Sequence, residues 1–171
     1  VVFGHTFPMS VLTRYQTRMA VPGRDEPKLG RLIVACWREA YPGILPQPLL
    51  DGMNADRETA KWRHSLRNGI AWIAEQSGEP VGVGHIDGAE VTTLYTRHAD
   101  QGMGLGAELL FRLFDEITCL GRRDAFLWAL EKNARARGFY ERMGGRLVAR
   151  RPVGFARYPD IMEVRYDFVL D

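Results

Sequence analysis

Gln101-Gly102-Met103-Gly104-Leu105-Gly106-Ala107 is the stretch on which the reading of this chain turns. Its glycines let the backbone approach a ligand closely and leave successive N–H groups exposed where a helix begins. Those N–H groups and the positive end of the helix dipole suit an anion, typically a phosphate. No acidic side chain intervenes before Glu108. A plain glycine-rich connection is the competing reading of this segment alone. Gly102, Gly104 and Ala107 also fit the G-x-G-x-x-G/A dinucleotide fingerprint, and Glu131 lies roughly, if late, where a ribose-binding acid would stand. Two features argue against that ligand. Arg97 to Gln101 separate the glycines from the preceding strand-like run, and the dinucleotide fold needs two βαβαβ halves. The Walker A pattern is absent, because no Gly-Lys-Ser/Thr follows.

Downstream, Leu109, Leu110, Leu113, Phe114 and Ile117 recur at helical spacing. Residues 125–130 are almost all apolar and predict a strand buried on both faces. Residues 133–143 predict a helix stopped by Gly144-Gly145, and strands at 146–150 and 161–170 close the chain. Upstream, residues 70–76, 80–86 and 89–96 predict a three-stranded meander turned at Ser77-Gly78 and Asp87-Gly88. Before it come a polar helix over 54–67, N-capped by Asn54, a Pro-rich ordered loop at 44–50, an amphipathic helix over 27–41 and a first strand within 14–21. The crossover through the helix that the glycine turn opens makes the strands ending near Thr96 and starting at Ala125 parallel if they are neighbours. The fold class is mixed α/β around one sheet: a single domain over 14–171 behind a loose leader at 1–13.

The composition narrows the function classes. Hydrophobic residues at 46% and charged residues at 26% describe a globular chain, which excludes a disordered segment, a collagen-like repeat and a disulfide scaffold. Charged or glycine residues interrupt every apolar run well short of the ~20 residues of a membrane span. A net charge of +2, with only the short clusters Arg122-Arg123 and Arg150-Arg151, gives no basic stripe for nucleic acid. Cys36 and Cys119 lie among apolar residues and predict buried thiols in a reducing compartment, the cytoplasm. His5, His64 and His98 are scattered, and no metal site is expected.

The residues in order resemble a known family. Gln101-x-x-Gly104-x-Gly106 matches the (Arg/Gln)-x-x-Gly-x-(Gly/Ala) motif of the GNAT superfamily, the acyl-CoA-dependent N-acetyltransferases. Val81-Gly82-Val83-Gly84-His85 and Val91-Thr92-Thr93-Leu94-Tyr95-Thr96 resemble the two strands before that motif. Asn133-x-x-Ala136-x-x-Phe139-Tyr140-Glu141-x-x-Gly144 resembles the helix after it, and Ala40-Tyr41-Pro42-Gly43-Ile44-Leu45-Pro46 a common helix-to-loop stretch. The resemblance covers about 14–170. Ala99 stands near the position of the usual proline, and Gly145 stands where a phenylalanine commonly follows Gly144.

The resemblance implies a central, mostly antiparallel sheet with one splayed parallel pair and about four helices. It implies acetyl-CoA as cosubstrate and a primary amine of a small molecule or peptide as acceptor, attacked directly in a ternary complex, with no membrane or nucleic-acid partner. A homodimer is allowed by family habit. The pyrophosphate would rest on backbone N–H groups of Gln101, Gly102, Met103, Gly104, Leu105, Gly106 and Ala107, with the Gln101 side chain ordering the turn. Leu94 and Thr96 backbone groups would pair with the pantetheine arm, and an N–H near Leu94 or Tyr95 would face the thioester oxygen. Tyr140 would be the general acid, because a phenol stays protonated at neutral pH. Asn133 would cap its helix and reach the cofactor. The general base stays open among Glu90, which by alternation shares a face with Thr92 and Leu94, His85, Glu131 and a water chain. Tyr95, Trp72 and Trp128 are candidates to line the acceptor pocket. A non-catalytic acyl-CoA-binding module and an NAD(P) oxidoreductase are the rival readings.

Overall fold

The computed structural model describes residues 14–170, so the expected leader at 1–13, with His5, lies outside the described residues. One sheet of seven strands runs in the order β1-β2-β3-β4-β5-β7-β6, where β1 is Gln16–Met19, β2 Ile70–Gln76, β3 Glu79–Asp87, β4 Glu90–Thr96, β5 Asp124–Leu130, β6 Arg146–Pro152 and β7 Met162–Val169. All neighbours are antiparallel except β4 and β5. The crossover between that parallel pair is α4, Leu105–Cys119. The other helices are α1, Glu26–Ala40, α2, Gln47–Asp51, α3, Ala55–Asn68, and α5, Ala134–Arg142. Thus α2 is the one helix beyond the four read from sequence; it forms inside the Pro-rich stretch, where Pro46 precedes it and Pro48 sits in its first turn, at positions that need no helical N–H.

Layering follows from the apolar stripes. Leu29, Leu32, Ile33 and Cys36 of α1 pack with Trp62 and Leu66 of α3 over Ala71, Ile73 and Val83 of the sheet. On the other face α4 presents Leu109, Leu110, Leu113 and Ile117, all fully buried. It lies close because β3 carries glycine beneath it: a Cβ on Gly84 would stand 2.7 Å from Leu113 Cδ1, and one on Gly82 3.0 Å from Leu109 Cδ1. α5 shares that face, with Tyr140 packed among the residues of β5 and β7.

Several local readings need correction. The first strand is four residues, since Val21 N–H turns to the Asp25 carboxylate at 2.7 Å and leaves the ladder. β5 is not buried on both faces: Ala125, Leu127 and Ala129 are buried, while Phe126, Trp128 and Leu130 between them are only half-buried. On that second side the guanidinium of Arg165 lies 3.9 Å from the Phe126 ring centre and that of Arg151 3.7 Å from Trp128's. Cys36 is buried, but Cys119, at the last turn of α4, is exposed. No helix among the described residues is long and apolar enough to cross a membrane.

Candidate active site

The parallel pair is the origin of the site. β4 and β5 stay in register only at Glu90↔Phe126 and Val91↔Leu127, then diverge. A bulge explains where. Ile86 faces Val91 and His85 faces Thr93, so Thr92 is an extra residue in β4 immediately past the last parallel pair, and a bulge bends and twists its strand. Thr92 Oγ1 lies 2.6 Å from His85 Nδ1 and pins it. Beyond the bulge β4 bonds only to β3. Arg97 N–H donates to Val81 C=O at 2.8 Å, and the antiparallel alternation leaves backbone groups of Leu94 and Thr96 facing away from β3.

The opening forms a cleft of about 930 Å³ that runs from the glycine turn, past Leu94, Tyr95 and Thr96, to Trp128 and Phe155. At one end a single 3₁₀ turn, His98–Asp100, leads into Gln101. Gly104 ends the turn with φ +89° at the start of α4, and no side chain caps the helix, so its first N–H groups stay free for an anion. Gln101 Nε2 donates to Thr96 C=O at 3.1 Å. Its Oε1 is buried without a hydrogen-bond partner among the described residues, an acceptor that calls for a donor from a ligand. Lys132, Arg135 and Arg142, around α5, add positive charge to the lining. An uncapped helix start, an unpaired buried oxygen and a strand edge with free backbone groups together fit a phosphate joined to an amide-bearing arm. Met103 and Leu105 do not put side chains into the cleft: Met103 Sδ lies 3.2 Å from Arg14 Nη1, and Leu105 is buried in the core. Only their backbone can serve.

Tyr140 lines the cleft from α5. Asn133 caps this helix by accepting from Ala136 N–H at 3.1 Å. Tyr166, on β7, donates to Glu141 at 2.7 Å and accepts from Arg137 at 3.1 Å, fixing the helix against the sheet. Gly145 belongs to the same packing: a Cβ there would meet Phe168 and the Tyr140 carbonyl at 2.8 Å, so Phe168 fills the space a larger residue would need. Burial, with Tyr41 nearby, holds the Tyr140 phenol well above its ordinary pKa. Tyr41 and Tyr95 lie across the cleft with their hydroxyls 2.7 Å apart. Burial pushes Tyr41 up to about 12 and holds Tyr95 well above the ordinary phenol value.

The candidate bases separate. Glu90 lines the cleft, and burial, against the pull of Arg151, raises its pKa. It does not share a face with Leu94, because the bulge resets the alternation: Val91 and Leu94 both pack toward α4, with Glu90 opposite. His85 is buried; Nε2–H donates to Ser65 C=O at 3.0 Å while Nδ1 accepts from Thr92, and burial lowers its pKa. Both nitrogens are used, so it is a structural histidine. Glu131 pairs with Arg150 at 2.6 and 2.9 Å and does not line the cleft. Trp128 and Tyr95 line the cleft but Trp72 does not; it lies toward α4, donating to Glu116 at 3.0 Å beneath Arg112.

Two features escape sequence reasoning. Arg151 stacks on Trp128 and pairs with Glu163 at 2.6 Å because β6 and β7 set Arg151 opposite Glu163; only the register reveals this. Tyr15 reaches Asp100 at 2.8 Å, across 85 positions of sequence. No group of three metal-ligating side chains occurs among the described residues. A single parallel pair does not make the two halves a dinucleotide fold requires.

Residues 32–145 match the sequence pattern of the Acetyltransferase (GNAT) family. A probable N-acetyltransferase of Mycobacterium tuberculosis is 31% identical over 152 residues, covering 80% of this chain and 86% of that protein. Among solved structures, a GCN5-related N-acetyltransferase from Rhodopseudomonas palustris superposes with a TM-score of 0.79 at 19% identity, covering 92% of this chain and 96% of its own. An N-acetyltransferase from Thermoplasma acidophilum in complex with coenzyme A gives 0.73 at 14% identity, over 90% and 99% of the two chains. At these identities the structural likeness concerns the fold.

Proposed function

The chain belongs to the acetyltransferase (GNAT) family and is an acyltransferase, and we propose that it moves the acetyl group of acetyl-CoA to a primary amine by direct attack within a ternary complex. The observation that carries this reading is the parallel pair that opens after Val91, with an uncapped helix start at one end of the gap and Tyr140 on its wall. The coenzyme A held by the Thermoplasma relative supports the same ligand here.

Acetyl-CoA supplies an activated acyl carbon and a thiolate leaving group. The backbone N–H groups of Gln101 to Ala107 receive the pyrophosphate, and a hydroxyl or amide N–H of the pantetheine arm donates to Gln101 Oε1, the partner that oxygen lacks. Leu94 and Thr96 offer backbone groups to the pantetheine arm, and an N–H near Leu94 or Tyr95 faces the thioester oxygen. Glu90, its pKa raised by burial, takes one proton from the ammonium and so frees the nitrogen lone pair that bonds to the acyl carbon; the second proton, lost from nitrogen as the amide forms, restores the one that Tyr140 gives up. Tyr140, kept protonated by burial, gives its proton to the departing sulfur. No acyl-cysteine is needed. Cys36 is buried, its thiol pushed up to about 12, and neither cysteine lines the cleft. The two free thiols suit a reducing compartment, and we place the reaction in the cytoplasm.

Release of free thiol from acetyl-CoA in the presence of a panel of amines tests this directly. Turnover with at least one amine, and a fall of about 10²-fold or more for Tyr140→Phe at unchanged coenzyme A affinity, supports it. Tight coenzyme A binding with no turnover on any amine makes the chain a non-catalytic acyl-CoA-binding module.

A further inference from the structure

The end of the cleft away from the glycine turn is apolar and aromatic: Trp37, Tyr41, Leu45, Trp128, Val153 and Phe155 line it. The rings are fixed. Trp37 meets Tyr41 edge-on at 5.2 Å, Tyr41 meets Tyr95 at 6.3 Å, and Phe155 packs on the cluster of Tyr41, Leu45 and Leu50. Charges there are few and mostly spent. Arg151 is stacked on Trp128 and paired with Glu163. Glu39 lines the cleft at the glycine-turn end instead, where Arg97 holds it at 2.6 Å and His98 N–H at 2.8 Å. Glu90 is different: it lines the cleft half-buried, and Arg151 and Arg165 act on it through space rather than through an ion pair.

We propose that the acceptor is a small monoamine carrying an apolar, preferentially aromatic, body: its single ammonium is drawn to Glu90 and its ring lies among Trp128, Phe155 and Tyr41. This rests on the transferase reading above. The chemistry follows from counting charges. Of the cleft-lining carboxylates among the described residues, Glu39 is paired with Arg97 and Glu163 with Arg151, which leaves Glu90 as the one outside a salt bridge and the one place for a cation. A second or third ammonium, as on a polyamine or an aminoglycoside, would find the Trp128 ring already covered by the Arg151 guanidinium, which repels it, and no unpaired carboxylate to meet it. A carboxylate on the acceptor would have to take Arg151 from Glu163 and sit beside two acidic groups. An uncharged ring replaces water over aromatic surface without either cost.

Calorimetry on the coenzyme A-loaded protein, with 2-phenylethylamine, spermidine, kanamycin and phenylalanine as probes, tests the inference, and thiol release from acetyl-CoA runs in parallel. The expected result is 2-phenylethylamine binding at least tenfold tighter than each of the others. Glu90→Gln, which keeps the shape, should weaken that binding about tenfold at unchanged coenzyme A affinity, and Trp128→Leu should weaken it independently. Equal or tighter binding of spermidine, kanamycin or phenylalanine overturns the inference, as does 2-phenylethylamine binding that neither variant changes. The two readings fail differently. Preferred 2-phenylethylamine binding without thiol release leaves the acceptor site standing and removes the transfer; thiol release that favours a polyamine or an amino acid does the reverse.

Discussion

The hydroxyl of Tyr15 donates to the Asp100 carboxylate at 2.8 Å, and this bond ties the residue before β1 to the turn that leads into Gln101. Asp100 is buried, and Met103 Sδ lies 3.8 Å from the same hydroxyl, so the glycine turn is braced from behind by a residue far away in sequence. Tyr15→Phe removes the donor and leaves a buried carboxylate oxygen short of a partner, which costs about 1–3 kcal/mol. The expected outcome is a rise in the coenzyme A dissociation constant and in KM for acetyl-CoA, with kcat kept. Calorimetry and a steady-state split of kcat from KM check it.

Gly104 and Gly106 should answer substitution differently, although both belong to the same motif. Gly104 holds φ +89°, where a Cβ costs roughly 1–2 kcal/mol. Gly106 has ordinary φ, and a Cβ there would meet only Phe139 at 3.6 Å, a normal contact. Gly104→Ala is therefore expected to lower the melting temperature and weaken coenzyme A binding, while Gly106→Ala leaves stability within about 0.5 kcal/mol of the parent. Parallel thermal melts of the two variants measure this.

Catalysis should be flat on the alkaline side. Burial raises the Tyr140 pKa, so the acid stays protonated above the ordinary phenol value of 10.0. Glu90 is raised as well and must be ionised to accept a proton, so activity should fall on the acid side, beginning above the ordinary carboxylate value of 4.5. The pH profile of kcat/KM from about 5 to 10 should show an acid limb and an alkaline plateau, and Glu90→Gln should remove the acid limb.

Asp25 anchors the other end of the sheet. It accepts from Arg18 at 2.7 and 3.0 Å and from Val21 N–H at 2.7 Å, and these bonds overcome burial to bring its pKa down to about 2. A carboxylate with a depressed folded pKa adds stability that is present above its ordinary value of 3.8 and is lost as the pH falls toward about 2. Asp25→Ala leaves Arg18 with Glu75 as its remaining carboxylate partner and takes the acceptor from Val21 N–H, which should cost about 2 kcal/mol, a fall on the order of 5 °C in Tm at neutral pH. The deficit should shrink in melts at pH 3.

Periodicity carried most of this architecture. The stripe Leu109, Leu110, Leu113 and Ile117 announced α4, Asn54 and Asn133 announced two helix starts, and Ser77-Gly78 announced a hairpin whose two turn residues both have positive φ. The glycine turn was legible as an anion site because the chemistry lies in backbone N–H groups at consecutive positions. What stayed hidden depends on register and long-range pairing. One extra residue at Thr92 turns Leu94 to the face opposite Glu90, and no local pattern marks it. Trp72 and Trp128 are both aromatics on strands, and only the layers put one toward α4 and the other in the cleft. Cys119 falls among apolar neighbours, yet its place in the last turn of α4 leaves it exposed.

The most direct test of the central claim, that the glycine turn holds the phosphates of acetyl-CoA, is a thermal shift of the wild type and of Gly104→Glu with acetyl-CoA and with NADH. A ligand at 100 times its Kd stabilises by about 2.7 kcal/mol, on the order of 5–10 °C for a chain of this size. The account predicts that shift for the wild type with acetyl-CoA, none with NADH, and none for the variant, whose carboxylate occupies the anion site. Stabilisation by NADH without acetyl-CoA, or an undiminished acetyl-CoA shift in Gly104→Glu, would contradict it.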